Sequence, residues 1–255
     1  MRASRTVFRT LLVAALASAP SSTAAQARIP DEFTNLRFLS EDIQKRELIG
    51  IMRGFTIQLG VGRCGFCHTV SDGLDQPDDD FASDEKATKR KARAMLQMVQ
   101  DINQNHIAKL PARGEPNIEV TCVTCHAGRN RPTTLEQEVS WALADGGIEA
   151  MRARYAELRE RYFGMGAYNF GTGTLEGIAR SLQSDKPDAA MAATEMNLEH
   201  YPESAQSWLT KGILHQAAGE NEAAIAAFER SLELAPANPV ATQRLEQLKG
   251  RNNFQ

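Results

Sequence analysis

All four cysteines of the chain fall in two copies of one pattern, Cys64-Gly65-Phe66-Cys67-His68 and Cys122-Val123-Thr124-Cys125-His126. Thiols three positions apart lie on one side of a helical turn. From there both reach the two vinyl groups of a haem as thioethers, and a histidine that follows directly reaches the iron as proximal ligand. Two other chemistries use cysteine pairs. A zinc ribbon spaces its pairs about 15–20 residues apart, whereas 54 residues separate Cys67 from Cys122. A disulfide within each pair would suit an oxidising compartment. Neither alternative explains a histidine directly after both pairs. The spacing therefore predicts two covalently bound haem c groups on Cys64, Cys67, Cys122 and Cys125, with His68 and His126 on the irons.

Each motif follows an amphipathic segment that carries methionine. Residues 41–59 start after Ser40, with Glu41 and Asp42 where a helix N-terminus favours acid, and Leu48, Met52, Phe55 and Leu59 recur on one face. Gly60 and Gly62 end this helix. Residues 84–106 repeat the plan: Ser83 caps, Asp84 and Glu85 lead, Met95, Met98, Val99 and Ile102 share a face, and Pro111 closes the segment. Methionine on such a face is ordinarily core filler. Here the face has a natural partner in a haem, a large flat apolar surface in a chain with only 6% aromatic residues.

From Asn35 to about Pro132 the chain resembles the cytochrome subunit of bacterial photosynthetic reaction centres. The matching residues are Ile49-x-x-Met52 on a helix, the turn Gly60-Val61-Gly62 and Cys64 to His68. After them come Ala92 to Met98 with Ile102-Asn103, and then Val120 to Gly128. In that family each unit is a helix bearing an axial methionine, a turn and a C-x-x-C-H helix. The resemblance implies Met52 as distal ligand of the first haem and Met95 of the second, with Met98, one turn away, as the alternative to Met95. Familiar members carry four such sites and this chain has two, matching the half with the first pair. One family haem takes a histidine from the helix that here ends near Lys109. His106 lies near that place but not at it, and reads as a surface histidine. The resemblance does not carry over a photosynthetic partner.

Arg129 and Arg131 follow the second motif closely, as partners for haem propionates or as solvated loop charges. The acidic residues Asp75, Asp78, Asp79, Asp80, Asp84 and Glu85 meet the basic residues Lys86, Lys89, Arg90, Lys91 and Arg93. No EF-hand pattern is present, so this run reads as a loop followed by a solvated helix face.

Residues 1–27 read as a signal peptide. Arg2, Arg5 and Arg9 precede the short apolar run Leu11 to Ala17, and Ala25-Gln26-Ala27 forms a small-x-small cleavage site. That run is far below the roughly 20 residues a bilayer span needs, so the mature chain is expected to lie in the periplasm or outside the cell with no transmembrane segment. The formal net charge of −3 argues against nucleic-acid binding. The charge is uneven: residues 28–132 balance, and residues 133–255 carry a net of −6. The organisation expected is a signal peptide (1–27), a dihaem domain (28–132), a helical connector (133–170) and a repeat region (171–255).

The second half reads as helical throughout. Thr134-x-x-Gln137 is a capping box, Gly146-Gly147 breaks the helix, and Gly164 to Gly173 is a connector. Pro202 and Pro236 stand 34 residues apart, and Trp208, Gly212, Gly219, Ala224 and Phe228 fall at tetratricopeptide spacings. The preceding 34 residues fit weakly, with Thr194 in the place of Phe228, and Pro239 to Lys249 forms a closing helix. His200 and His215 read as packing or surface residues. Such repeats dock proteins and do no chemistry of their own.

The fold expected is thus all-α, with little regular structure in the haem region beyond its helices. The function expected is single-electron transfer by a dihaem cytochrome c that meets redox partner proteins, or copies of itself, through the repeats. A peroxidase-like enzyme with one open iron, and a haem-bearing structural assembly, are the alternatives.

Overall fold

The computed structural model of the chain describes residues 29–70, 79–111 and 118–252. The expected signal peptide, Asp75 and Asp78 lie outside them. The described residues are all-α: α1 (Lys45–Gln58), α2 (Ala87–Asp101), α3 (Cys122–His126), α4 (Leu135–Tyr162), α5 (Thr172–Leu182), α6 (Pro187–His200), α7 (Ala205–Ala217), α8 (Asn221–Leu234) and α9 (Pro239–Asn252). Thr69 and Asp80 form an isolated antiparallel bridge.

The chain divides into two compact units, one of residues 1–45 and 63–96 and one of residues 46–62 and 97–255. In the first unit, the start of α2 is tied to the loop before it. Lys89 is only 8% exposed. Its ammonium donates to the carbonyls of Phe81 (2.7 Å), Ala82 (2.9 Å) and Ser83 (2.8 Å), which uses all three of its protons. Asp84 accepts ion pairs from Arg93 (3.0 Å), Arg37 (3.2 Å) and Lys89 (3.5 Å). The expectation of a wholly solvated basic face is corrected here: Lys89 and Arg93 turn inward because three carbonyls and a carboxylate satisfy them.

The second unit contains the hydrophobic core. Leu135, Val139, Met151, Tyr155, Leu175, Ile178 and Met196 belong to one buried cluster drawn from α4, α5 and α6, and Leu209, Phe228, Ala241 and Leu248 to another in α7, α8 and α9. Successive helices pack as antiparallel neighbours, α5 on α6, α7 on α8 and α8 on α9. Gly212 brings α7 close to α8, since a Cβ there would stand 2.6 Å from the Phe228 ring. Thr194, where the weaker repeat lacks a phenylalanine, is buried and satisfies its hydroxyl on the Ala190 carbonyl at 2.8 Å.

Helix ends follow the sequence in α4, whereas α2, expected from Asp84 behind a Ser83 cap, begins at Ala87. The Thr134 hydroxyl accepts from the Gln137 amide at 3.2 Å while the Gln137 side chain accepts from the Thr134 amide at 2.9 Å. Gly146 (φ −141°) and Gly147 (φ 71°) interrupt α4 where a break was expected. The start of α1 differs: the helix begins at Lys45, because the Ser40 hydroxyl donates to the Asp42 carboxylate instead of capping. That bond holds the Asp42 carboxyl below its usual value.

Candidate haem-attachment sites

In the first unit, Cys64 to Phe66 form one 3₁₀ turn. The amides of Cys67 and His68 both donate to the Cys64 carbonyl, at 3.1 and 3.0 Å, which sets the two thiols and the histidine on one tight turn. Side chains near the start of α2 hold this turn from outside. The Thr88 hydroxyl donates to the Phe66 carbonyl at 2.5 Å, and the Lys86 ammonium donates to the Gly65 carbonyl. The His68 ring donates from Nδ1 to the Phe81 carbonyl at 2.9 Å and lies 5.3 Å from the Phe81 ring. The carbonyl fixes the proton on Nδ1 and leaves the Nε2 lone pair for a metal. Burial pushes the His68 pKa down, the Phe81 carbonyl opposes this, and Lys89, Lys86 and Arg93 add to the lowering. The ring is thus held neutral, the form that ligates. Burial also raises the Cys67 and Cys122 thiols.

In the second unit, the other motif is the short helix α3. The Thr121 amide donates to the Thr124 hydroxyl at 3.0 Å, and Ala127 (φ 46°) and Gly128 (φ 76°) turn the chain sharply after His126. The His126 ring donates from Nδ1 to the Arg129 carbonyl at 2.8 Å. Both predicted proximal histidines therefore make the same bond to a main-chain carbonyl, though one partner is thirteen residues away and the other three.

Two further clamps hold the second motif. Asn103, in the wider helical turn Ile102–His106, pairs twice with Val120: its amide donates to the Val120 carbonyl and its oxygen accepts the Val120 amide, both at 2.8 Å. At the end of α1, Gly60 closes a Schellman turn, with Val61 bonded to the Thr56 carbonyl at 3.0 Å and Gly60 to that of Ile57 at 3.1 Å. The Gly128 amide donates to the Gln58 carbonyl at 3.0 Å. Gly60 has φ 62°, and a Cβ there would stand 2.0 Å from the Gly128 oxygen. The backbone strain alone of any other residue would be about 1–2 kcal/mol.

The distal candidates lie on helices. Met95 belongs to the first unit with His68, and Met52 and Met98 to the second with His126. Met52 is half-buried, and Met95 and Met98 are 46% and 47% exposed. They belong to a wider pattern. Ile57, Leu110, Ile118 and Val123 are exposed as well, and Leu48 is the one buried apolar side chain among the described residues before Leu135. Most apolar side chains of α1 and α2 are only partly buried, and Met95 and Met98 stand exposed on α2. That is the surface a haem covers, and with two Nδ1-bonded histidines beside two thiol pairs the residues fit that group. No disulfide joins the four cysteines. His106 is a surface residue 3.5 Å from Asp101, and His215 bonds Glu220 at 2.5 Å.

A C-x-x-C-H turn whose histidine is oriented through Nδ1 defines a c-type cytochrome, a protein with covalently bound haem c. A family model described as photosynthetic reaction centre cytochrome C subunit matches residues 6–158, and the chain belongs to that family. Cytochrome c-554 of Chloroflexus aurantiacus is 42% identical over 78 residues, 31% of this chain and 16% of that protein. The photosynthetic reaction center cytochrome c subunit of Roseobacter denitrificans is 35% identical over 72 residues, 28% of this chain and 18% of that protein. The chain thus matches less than a fifth of the length of these relatives. No described helix is long and apolar enough to cross a membrane.

Proposed function

We propose that the chain is an exported dihaem cytochrome c, periplasmic or extracellular, that relays single electrons between redox partner proteins. The observation that carries this reading is the matched pair of histidine bonds, His68 to the Phe81 carbonyl and His126 to the Arg129 carbonyl, each directly after two thiols. When bound, each haem supplies an iron that cycles by one electron between ferric and ferrous. Cys64 and Cys67 hold one haem, Cys122 and Cys125 the other. The family resemblance gives Met52 to the first iron and Met95 to the second, Met98 being the alternative, and such thioethers would favour ferrous iron and close the irons to substrate. The helices from 171 onward form a tetratricopeptide-like platform for a redox partner or a second copy, joined to the dihaem region by the connector at 133–170.

Haem counting tests this directly. The intact mass of protein matured with haem should exceed that of the mature chain by two haems. Cys64→Ala/Cys67→Ala and Cys122→Ala/Cys125→Ala should each retain one haem covalently, and retention of both in either double variant would contradict the attachment.

A further inference from the structure

The His126 bond depends on a residue that the helical array holds from the other side. Arg129 supplies the accepting carbonyl (2.8 Å), and its side chain is fixed at three points. Its Nε donates to the His126 carbonyl at 3.1 Å, its guanidinium donates to the Thr133 carbonyl, and its Cζ lies 4.3 Å from the centre of the Tyr168 ring. Tyr168 in turn packs against the buried cluster of α4 to α6, with its ring 5.4 Å from Tyr162 and 6.1 Å from Phe170. Thr133 is buried too, and its hydroxyl donates to Glu138 at 2.7 Å. Arg154 donates to the same carboxylate at 2.5 and 3.1 Å. Burial would raise the Glu138 carboxyl, and the Thr133 and Arg154 bonds outweigh it, so it stays ionised. The sequence offered Arg129 as a propionate partner or a loop charge. Its guanidinium donates to two carbonyls and lies over a ring.

His68 has no such dependence. Its acceptor, the Phe81 carbonyl, is held by Lys89 within the first unit. The two proximal ligands are therefore positioned by different parts of the chain.

We propose that Arg129 is a positioning residue through which the helical array sets the reduction potential of the second haem and not of the first. The inference rests on the dihaem reading above. A firm Nδ1–H bond gives the imidazole more donor character and stabilises ferric iron. Freeing the Arg129 backbone lengthens that bond and raises the potential of this haem alone. The array is then a tuning element as well as a docking platform: whatever strains Tyr168 or Glu138 is felt at His126.

The test is a potentiometric titration of the full-length protein, matured with haem, carrying Arg129→Gln, Tyr168→Ala, Tyr168→Phe or Glu138→Gln. The Cys64→Ala/Cys67→Ala background marks which transition belongs to the second haem. Arg129→Gln, Tyr168→Ala and Glu138→Gln should all move that transition upward, Arg129→Gln most, with the other unmoved. Tyr168→Phe keeps the ring under the guanidinium and should restore the parent value. If Arg129→Gln loses the second haem while keeping the first and full helicity, the positioning role stands, and the Tyr168 pair then reads the potential. Unmoved transitions in a fully loaded protein, equal movement of both, or loss of both haems would overturn the proposal. A parent protein without two haems would instead overturn the dihaem reading.

Discussion

A chain produced without haem attachment should be cut by protease throughout residues 29–132, while a fragment spanning α4 to α9 survives. The physical reason is the distribution of burial. Ordering each residue costs about 1–2 kcal/mol of backbone entropy, and one fully buried large apolar side chain contributes about 1.5–3 kcal/mol. Before Leu135, Leu48 is the single buried apolar side chain among the described residues. One leucine cannot offset the ordering of about a hundred residues. The polar clamps at Lys89, Asp84, Asn103 and Arg129 direct the chain but add only about 0.5–1.5 kcal/mol per hydrogen bond net, more where a charge takes part. Covalent attachment should supply what is lacking, by burying the faces of α1 and α2 and tethering both turns. The two clusters in α4 to α9 need no such help. Limited proteolysis followed by mass analysis of the fragments checks this. The attached form should resist cleavage in both regions, and the unattached form only beyond about residue 133. A protease-resistant, cooperatively melting 29–132 region without haem would contradict the account.

Met52→Ala and Met95→Ala should each lower one reduction potential, a different one in each variant, and open that iron to carbon monoxide. A thioether is a soft ligand that favours ferrous iron, so replacing it with water shifts the balance toward ferric. The exposure of Met95 and Met98 on the same helix makes their comparison informative. If Met98→Ala moves the transition and Met95→Ala does not, Met98 is the ligand. If none of the three variants alters spectrum, potential or carbon monoxide binding, methionine ligation is wrong at both irons. Potentiometry and optical spectra of the reduced protein, with and without carbon monoxide, provide the readings.

The two C-x-x-C-H turns were legible because their signal is local. Two thiols and a histidine within five residues mean the same thing wherever they lie. The Gly60 turn, the Thr134–Gln137 box and the break at Gly146 were legible for the same reason, each being a short-range signal with one backbone solution. The devices that position the sites were not. Lys89 read as one charge in a basic run, because three carbonyls at 81–83 are indistinguishable in sequence from any other backbone. Ser40 looked like a cap, and the nearer Asp42 took its hydroxyl. Asn103 matched the family pattern, but its double bond to Val120 joins residues seventeen apart. The contact of Arg129 with Tyr168 reaches further still, into the helical half. Pairings of this kind depend on the folded path of the chain and leave no periodic trace.

In the proposed reading both irons are closed, and the protein moves electrons without turning over a substrate. Carbon monoxide added to the fully reduced, unmodified protein tests it most directly. The absorption bands of both haems should stay unchanged on mixing. Rapid binding of one equivalent per chain would show an open iron and contradict it, in favour of a peroxidase-like enzyme.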